Sequence, residues 1–371
     1  MAAPAPDVLD HAQLNRALLA RQLLLERSDL GAVDAVEHLV GMQAQAPNPP
    51  YIGLWTRLAR FRTLDLAAGV QSREVVRLVL MRGTIHLVSA RDCLRLRPVL
   101  AESLERSLKG TFGRKLAGLD LADVVALGVE AVEKEALTLG ALGTVLAERW
   151  PDHDAFALAN AVRNLVPLVQ VPPRGLWGES GQAAHTTASS WLGRGPDTDP
   201  DPGAVVERYL AAFGPASVKD MQVWSGMTRL ASVVGRLGTR LRVFRGTDGR
   251  TLYDLPDAPR PAPGTPAPVR FLPDFDNILL SHADRSRVIT EERRRHVFTR
   301  NGLIRPTFLV DGEVAGMWRV DRERGAARLV LQPFSPLPRS VRDELTDEGG
   351  RLLSFAAADS SSQDIVFDGH P

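Results

Sequence analysis

The predicted elements recur in one order along the chain, and this order constrains the fold more than any single motif does. Short amphipathic helices are followed by one β-hairpin over residues 10–90, and the order returns over 121–177 and 203–255. Apolar residues three and four positions apart indicate the helices, and β-branched runs around glycine indicate the hairpins. Helices followed by a hairpin is the order of a winged helix, so three such units are predicted, without a fixed-period sequence repeat.

The individual predictions are as follows. Helices are expected over 10–27, 32–42, 51–59, 64–71, 92–115, 121–136, 139–149, 154–164, 203–213, 217–224, 228–237 and 339–357. Strands are expected within the hairpin Val75–Ala90, over 166–171, 176–177, 239–244 and 250–255, and near 278–280, 286–289, 306–320, 326–334 and 363–367.

Two segments rich in proline and glycine divide the chain. Gly193–Pro202 and Pro256–Pro268 are predicted to be linkers, and the second is expected to be extended and free of sheet pairing. The predicted fold class is α+β, with three tandem winged-helix units and a C-terminal mostly β domain. The predicted boundaries are 1–118 for winged helix 1 with its connecting helix, 119–195 for winged helix 2, 203–256 for winged helix 3 and 268–371 for the C-terminal domain.

Composition excludes several classes of protein. Hydrophobic residues make up 44% and charged residues 24%, which is typical of a globular protein and not of a disordered one. The single cysteine, Cys93, excludes a disulfide scaffold and is predicted to be a small buried hydrophobe. No apolar run is long enough to span a membrane, and Met1–Val8 lacks the pattern of a signal peptide. A cytoplasmic, nucleoid-associated protein is expected.

Charge is segregated along the chain although the formal net charge is only +1. Residues 77–115 carry nine basic and three acidic side chains, whereas 120–154 carry two basic and eight acidic ones. Such basic clusters suit phosphate binding. The alternative is an ordinary local excess, because 41 of the 45 basic residues are arginine, a bias that looks like that of a GC-rich coding sequence.

The motif Gln43-Ala44-Gln45 is the most specific candidate for chemistry. Ala46 precedes Pro47, which pushes this segment away from helical geometry. An extended Gln43–Gln45 would project both side chains to the same side, where two carboxamides can hold one water. The alternative is a helix C-terminus with two solvated glutamines.

Several segments together resemble the tandem winged-helix DNA glycosylases, and most closely the AlkZ-type enzymes. They are GMQAQAPNPPYIGLWTRL, LMRGTIHLVSARD, FLPDFDNILLSHADRSRVI and NGLIRPTFLVDGEVAGMW. The resemblance covers roughly residues 10–370, and Gln43-Ala44-Gln45 matches the Gln-x-Gln motif of one branch of the family. It implies an α+β fold of three tandem winged-helix units around a DNA-binding cleft, with Gln43 and Gln45 as the catalytic pair and with neither a metal nor an organic cofactor. It also implies that bulky N7-alkylguanines are excised and interstrand crosslinks unhooked. It also suggests self-resistance to a DNA-alkylating natural product.

The chemistry of the substrate fits this motif. An N7-alkylated guanine is already cationic, so it can leave without an acid, and the remaining task is to place water on an oxocarbenium-like sugar. No lysine lies near the motif, so hydrolysis without Schiff-base formation or strand cleavage is predicted.

Seven basic residues are the candidates for DNA contacts. They are Arg82, His86, Arg285, Arg287, Arg319, Arg322 and Arg324. For the first two, a structural hydrogen bond is the alternative. The last three surround a predicted hairpin tip, which the resemblance suggests probes the minor groove.

Three further polar residues are open to a structural reading. Asp274 and Asp276 can offer a base or form a structural turn, and the turn is favoured. His185 is predicted to be a hydrogen-bonding loop residue, and the eight histidines show no metal-ligand spacing.

Two other classes of function compete with the glycosylase. A winged-helix transcription regulator would read DNA without catalysis, but three non-repeating units do not suit a symmetric dimer on a palindrome. An architectural DNA-binding protein that has lost catalysis is the third reading. The expected partner is double-stranded DNA carrying alkylated guanine, with no membrane and no obligate protein partner, and the expected state is a monomer.

Overall fold

The structure is a computed structural model that describes residues 7–369. Residues 1–6, which carry most of the segment Met1–Val8 used to predict the absence of a signal peptide, lie outside it, as do residues 370 and 371. None of the helices described is both long enough and apolar enough to cross a membrane.

The N-terminal part of the chain consists of short helices around the predicted hairpin. Its elements are β1 (Val8–Leu9), α1 (His11–Arg21), α2 (Ala32–His38), β2 (Met42–Gln43), α3 (Pro49–Arg57), α4 (Thr63–Gln71), β3 (Val75–Val79), β4 (Ile85–Ser89), α5 (Ala90–Val99) and α6 (Ala101–Phe112). The helix predicted over 92–115 is two helices, because Pro98 has no N–H to donate to the carbonyl of Leu94. That carbonyl instead accepts the N–H of Asp197, in the linker Gly193–Pro202, at 3.0 Å.

The second part of the chain adds its strands to the same sheet as the first. Its elements are α7 (Leu121–Lys134), β5 (Leu137–Thr138), α8 (Leu139–Arg149), α9 (Ala155–Leu165), β6 (Leu168–Gln170), β7 (Ala184–Thr187) and α10 (Ala188–Leu192). The strand order is β2-β4-β3-β6-β7-β5, and β3 joins β6 through the pairs Arg77 with Gln170 and Leu78 with Val169. The strand expected at 176–177 is wrong: these residues lie in a turn, and β6 pairs with β7.

The third part of the chain follows its prediction closely. Its elements are α11 (Pro202–Phe213), α12 (Val218–Ser225), α13 (Leu230–Leu237), β8 (Arg242–Gly246) and β9 (Thr251–Asp254). Strands β8 and β9 form the predicted hairpin, and β1 pairs with β8 in parallel. No strand forms over 256–268, as the proline content predicts.

The C-terminal part is a five-stranded sheet packed against one long helix. Its elements are β10 (Arg270–Leu272), α14 (Glu291–Val297), β11 (Thr307–Val310), β12 (Glu313–Glu323), β13 (Ala326–Pro333), α15 (Arg339–Ala356) and β14 (Ser362–Phe367). The strands lie in chain order, with β14 parallel to β13. Apolar residues of α15 and of the sheet, such as Leu352 and Phe271, share one core.

Three predictions for this C-terminal part are corrected. Residues 278–280 do not form a strand, because a 3-10 turn over Asn277–Leu279 is capped by the side chain of Asp276. Residues 286–289 form turns, and the strand expected over 306–320 is divided by a turn at Asp311 and Gly312, both with positive φ. Strand β10 and helix α14 were not predicted.

One core joins parts of the chain that are far apart in sequence. Leu18, Leu78, Tyr209 and Met317 belong to the same buried cluster, as does Cys93, which is buried as predicted. A buried ion pair between Arg21 and Asp254 (2.6 Å) links α1 to β9, and another links Arg57 of α3 to Asp276 (2.8 Å). The mixed α+β class is confirmed. The domain boundaries stay a prediction, and both the six-stranded sheet and this core extend across them.

Candidate active site

The segment that carries the glutamines is not helical: Gln43 lies in the short strand β2, Ala44 follows it without regular structure, and a bend begins at Gln45. Helix α2 ends at His38, and Val40 and Gly41 then turn the chain with φ of 55° and 86°. Gly41 is needed here because a Cβ would lie 2.5 Å from Cγ1 of Val88, in addition to the strain of its positive φ. The chain then enters β2, where Gln43 pairs with His86.

Both glutamine side chains are fixed by the hairpin β3–β4. The Arg82 guanidinium donates to Oε1 of Gln43 at 2.8 Å, and the backbone N–H of Ile85 donates to Oε1 of Gln45 at 3.1 Å. Gln43 is 6% exposed and Gln45 is exposed. Within residues 7–369 neither amide nitrogen donates a hydrogen bond, so both NH2 groups remain available to a ligand or a water.

Arg82 connects Gln43 to the third part of the chain. Its second terminal nitrogen donates to the Trp224 carbonyl at 2.7 Å, and its backbone is left-handed with a φ of 58°. Burial, and after it the positive charge of Arg285, lowers the pKa of Arg82 to about 10. The sequence predicts that Arg82 contacts DNA, whereas the structure brings its guanidinium to Gln43 of the predicted catalytic pair.

Arg77 is a residue that sequence reasoning missed. It is 2% exposed, and its guanidinium donates to the carbonyl of Ala44 at 2.6 Å and to Oε1 of Gln170 at 3.1 Å. It therefore holds the backbone between the two glutamines of the motif. The available signal was an arginine inside the apolar strand Val75–Val79, since a buried guanidinium needs internal acceptors.

Two of the predicted DNA contacts lie inside the protein. His86 is 2% exposed, its Nδ1 lies 3.0 Å from the carbonyl of Thr84, and burial followed by the charge of Arg82 lowers its pKa to about 3. This is the structural hydrogen bond of the alternative reading. Arg287 is 6% exposed and donates to the carbonyl of Pro215 at 3.0 Å. Neither side chain is presented to DNA in this structure.

Arg285 lies at an intermediate depth. Its Nε donates to the carbonyl of Leu279 at 2.7 Å, and its guanidinium stacks over the ring of Phe298 at 5.3 Å. The pKa of Arg285 is lowered, mainly by burial and then by Arg294. The positive charge of Arg285 also acts on Arg82, whose pKa it lowers. A contact of Arg285 with DNA stays a prediction.

The other three predicted contacts lie on the hairpin formed by β12 and β13, and all three are exposed. Arg319 pairs with Asp321 at 3.1 Å, and Arg322 pairs with Asp359 at 3.0 Å. Arg324 has a φ of 49° at the tip, and its guanidinium has no partner within residues 7–369. The hairpin is therefore present as predicted, and its role in DNA binding stays a prediction.

The paired carboxylates of the LPDFDN segment differ in their surroundings. Asp276 accepts two bonds of 2.8 Å from Arg57 and caps the following turn, which is the structural role favoured above. Asp274 has no such cation, and burial raises its pKa. It lines a cavity and so remains the one of the two that faces open space.

Two cavities lie on either side of the loop that follows β6. The larger has a volume of about 700 Å³, and its wall includes Asn48, Trp177, Trp318 and Phe355. The smaller has a volume of about 380 Å³, and Gln45 forms part of its wall. No group of three His, Cys, Asp or Glu side chains suited to a metal ion occurs within the described range.

Comparisons with known proteins agree with this architecture. A family model described as "DNA glycosylase AlkZ-like" matches residues 36–355. The chain is 26% identical over 346 residues to an interstrand DNA cross-link repair glycosylase of Streptomyces sahachiroi, covering 86% of this chain and 90% of that protein. The solved structure of the DNA glycosylase AlkZ from the same organism superposes with a TM-score of 0.81 at 22% identity, covering 97% of this chain and 100% of that one.

Proposed function

The chain belongs to the AlkZ-like family of DNA glycosylases, and on that premise we propose that it hydrolyses the N-glycosidic bond of N7-alkylated guanine in double-stranded DNA. Gln43 and Gln45 are the proposed catalytic residues. The observation that carries the proposal is their geometry: both amide oxygens are held by fixed donors, and both NH2 groups are free within residues 7–369. Two such amides can orient one water without deprotonating it strongly.

The chemistry of the lesion suits groups this weak. Alkylation at N7 gives guanine a positive charge, so the base leaves C1′ without protonation. The transition state then needs stabilisation of a cationic sugar and a placed water, which neutral dipoles supply. An uncharged adenine or cytosine glycoside requires stronger acid or base help, and we expect it to be a poor substrate.

Support for a bulky adduct comes from the cavity of about 700 Å³. Trp177 and Phe355 in its wall are in contact, with ring centroids 5.4 Å apart, and Trp318 forms another side. Aromatic walls of this kind bind flat apolar groups. Asn48 in the wall follows Gln45 by three residues, so this cavity includes the end of the loop that carries the proposed catalytic segment, and we propose that it receives a large N7 substituent.

The biological role is proposed from the named relative. That protein is an interstrand DNA cross-link repair glycosylase, and we propose that this chain also unhooks crosslinks on chromosomal DNA in the cytoplasm. Self-resistance to a DNA-alkylating natural product is the proposed setting. The product is an abasic site without strand cleavage, because none of the four lysines lies near the glutamine motif.

The proposal is tested by single-turnover release of N7-methylguanine, and of a bulkier N7-guanine adduct, from duplex DNA. Replacing Gln45 with Ala is expected to slow release about ten-fold or more. The matched control is Gln71→Ala, since Gln71 is exposed on α4 and has no side-chain hydrogen bond within residues 7–369. We expect this control to release the base at the wild-type rate.

The outcome also separates the competing functions. A transcription regulator or an architectural protein would bind DNA and release no base from any N7 lesion, whether small, bulky or crosslinked. Sequence-selective binding together with no release would therefore overturn the proposal. Strand breaks without added alkali would contradict the absence of lyase activity.

A further inference from the structure

The smaller cavity differs from the larger one by the charge of its wall. We propose that it binds one phosphodiester of the DNA substrate, next to the nucleotide whose base is removed, an inference that rests on the proposed function. We call it the arginine cavity; its wall is formed by Gln45, Arg77, Thr138, Leu139, Gly140, Arg163, Gln170, Arg174, Gly181, Gln182, Ala183 and His185. The proposal concerns the chemistry of this wall.

Three guanidinium groups face the arginine cavity without a carboxylate in its wall. They belong to Arg77, Arg163 and Arg174, and none of them forms an ion pair within residues 7–369. Burial, and after it the positive charge of Arg174, lowers the pKa of Arg77 to about 10. The guanidiniums of Arg77 and Arg174 donate only to neutral acceptors, such as the carbonyls of Ala44 and Gly181, so their positive charge is not neutralised and favours a bound anion.

Buried polar atoms in the wall also lack partners. His185 lies in strand β7 and not in the loop predicted for it; it is 3% exposed, its Nδ1 lies 3.4 Å from the carbonyl of Leu137, and its Nε2 has no hydrogen bond within residues 7–369. The Nε of Arg163 is likewise buried without an acceptor. Buried polar groups are nearly always satisfied in folded proteins, so the N–H of Arg163 is a donor that an anionic ligand can satisfy, whereas burial lowers the pKa of His185 to about 4 and leaves its Nε2 as an acceptor that a phosphate does not use.

A helix terminus contributes to the same wall. Helix α8, which spans eleven residues, begins at Leu139, and both Leu139 and Gly140 line the cavity. The first N–H groups of a helix have no acceptor within the helix, and the helix dipole favours negative charge at this end. Together with the arginines, this favours a phosphate over a neutral ligand.

The position of the cavity connects phosphate binding to catalysis. Gln45 is in its wall, and Arg77 also holds the carbonyl of Ala44 at 2.6 Å. A phosphodiester held here would fix the DNA backbone beside the proposed catalytic amides. Phosphate contacts of this kind set the register of a protein on the duplex without reading its sequence.

The test uses the arginines that do not support the glutamine segment. Arg163→Gln and Arg174→Gln are each expected to weaken binding to duplex DNA about five- to ten-fold and to reduce the slope of log K against log salt by about one. The matched control is Arg149→Gln, because Arg149 is exposed at the opposite end of α8 and has no ion pair within residues 7–369. We expect a clearly smaller loss and no change in slope for this control. Thermal melting shows that each variant is folded.

A second measurement locates the phosphate. Single methylphosphonate linkages, which carry no charge, are placed one at a time on each side of the lesion. At one position the uncharged linkage is expected to lower the DNA affinity of the wild type. The same linkage is expected to leave the DNA affinity of Arg163→Gln unchanged, because the variant has already lost the contact to that phosphate. Equal losses in both proteins at every position would overturn the proposal. So would wild-type DNA affinity in the variants combined with weakened binding of inorganic phosphate, because the site would then take a free anion.

Failure of this inference and failure of the proposed function give different results. Binding coupled to Arg163 without release of any base would leave the phosphate site intact and remove the catalytic proposal. Release of the base with no methylphosphonate position coupled to Arg163 would leave the catalytic proposal intact and remove the phosphate site.

Discussion

Arg82 offers the sharpest test of how the site is built, since its guanidinium links the third part of the chain to Gln43. One terminal nitrogen donates to the Trp224 carbonyl at 2.7 Å and the other to Oε1 of Gln43 at 2.8 Å. If Arg82 is replaced with Ala, Gln43 loses the donor that fixes its amide. The new residue keeps a Cβ, so the backbone strain at the φ of 58° is unchanged.

The expected effect follows from the strength of one charge-assisted hydrogen bond. A hydrogen bond to a charged group is worth about 1.5–3 kcal/mol. If that free energy orients Gln43 in the transition state, its loss lowers the excision rate about ten- to hundred-fold, because about 1.36 kcal/mol of activation free energy corresponds to a factor of ten in rate. Arg82→Lys keeps the charge but lacks the planar guanidinium that reaches both acceptors, so its excision rate is expected to lie between those of the wild type and Arg82→Ala.

The assay is a double-mutant cycle on single-turnover excision. Arg82→Ala is expected to have little further effect when Gln43 is already Ala, because Arg82 then has no amide to orient. Fully additive losses would refute the reasoning. A fall in DNA affinity that reduces the salt slope by about one, independent of Gln43, would also refute it and would make Arg82 a phosphate contact.

The remaining predictions concern stability. Asp254→Asn leaves the guanidinium of Arg21 buried without its anion, since both side chains are at most 1% exposed, and is expected to lower the free energy of unfolding by about 3–5 kcal/mol in urea denaturation. The control Asp257→Asn, at an exposed position, is expected to change it by less than about 0.5 kcal/mol; an equal loss in both would contradict the ion-pair argument. Asp274→Asn is expected to stabilise the protein at neutral pH, because burial raises the pKa of Asp274 above 3.8 and stability is lost as pH rises through the folded-state pKa. Denaturation midpoints from about pH 4 to about pH 7 should show the gain shrinking toward acid, and a gain independent of pH would argue against the titration of Asp274.

Local sequence patterns predicted most of the helices and hairpins. The hairpin over 75–89, the hairpin between β8 and β9, and helix α15 appear close to their predicted bounds. Each depends on residues that are near one another in the chain. The predictions failed where a short element depends on distant partners, as in β10, which is held by pairing with β11 more than thirty residues later.

The candidate site was likewise predictable only where its features depend on residues that are near one another in the chain. The bend at Gln45 was not predicted, but the absence of a helix at Gln43 was predictable because Pro47 disfavours helical geometry in the residue before it. The roles of the basic residues were not. An arginine has the same local pattern whether it is exposed, as Arg324 is, or buried, as Arg287 is.

The sequence by itself therefore determined most of the helices and hairpins, the α+β class and the non-helical glutamine motif, because proline, glycine and apolar spacing act locally. Only the tertiary structure decided which arginines support that motif. Arg82 finds its acceptor at Trp224, and Arg77 finds one at Gln170, at separations of 142 and 93 residues. The hydrogen-bond partner and the burial of a long charged side chain are set by chain segments that meet only on folding.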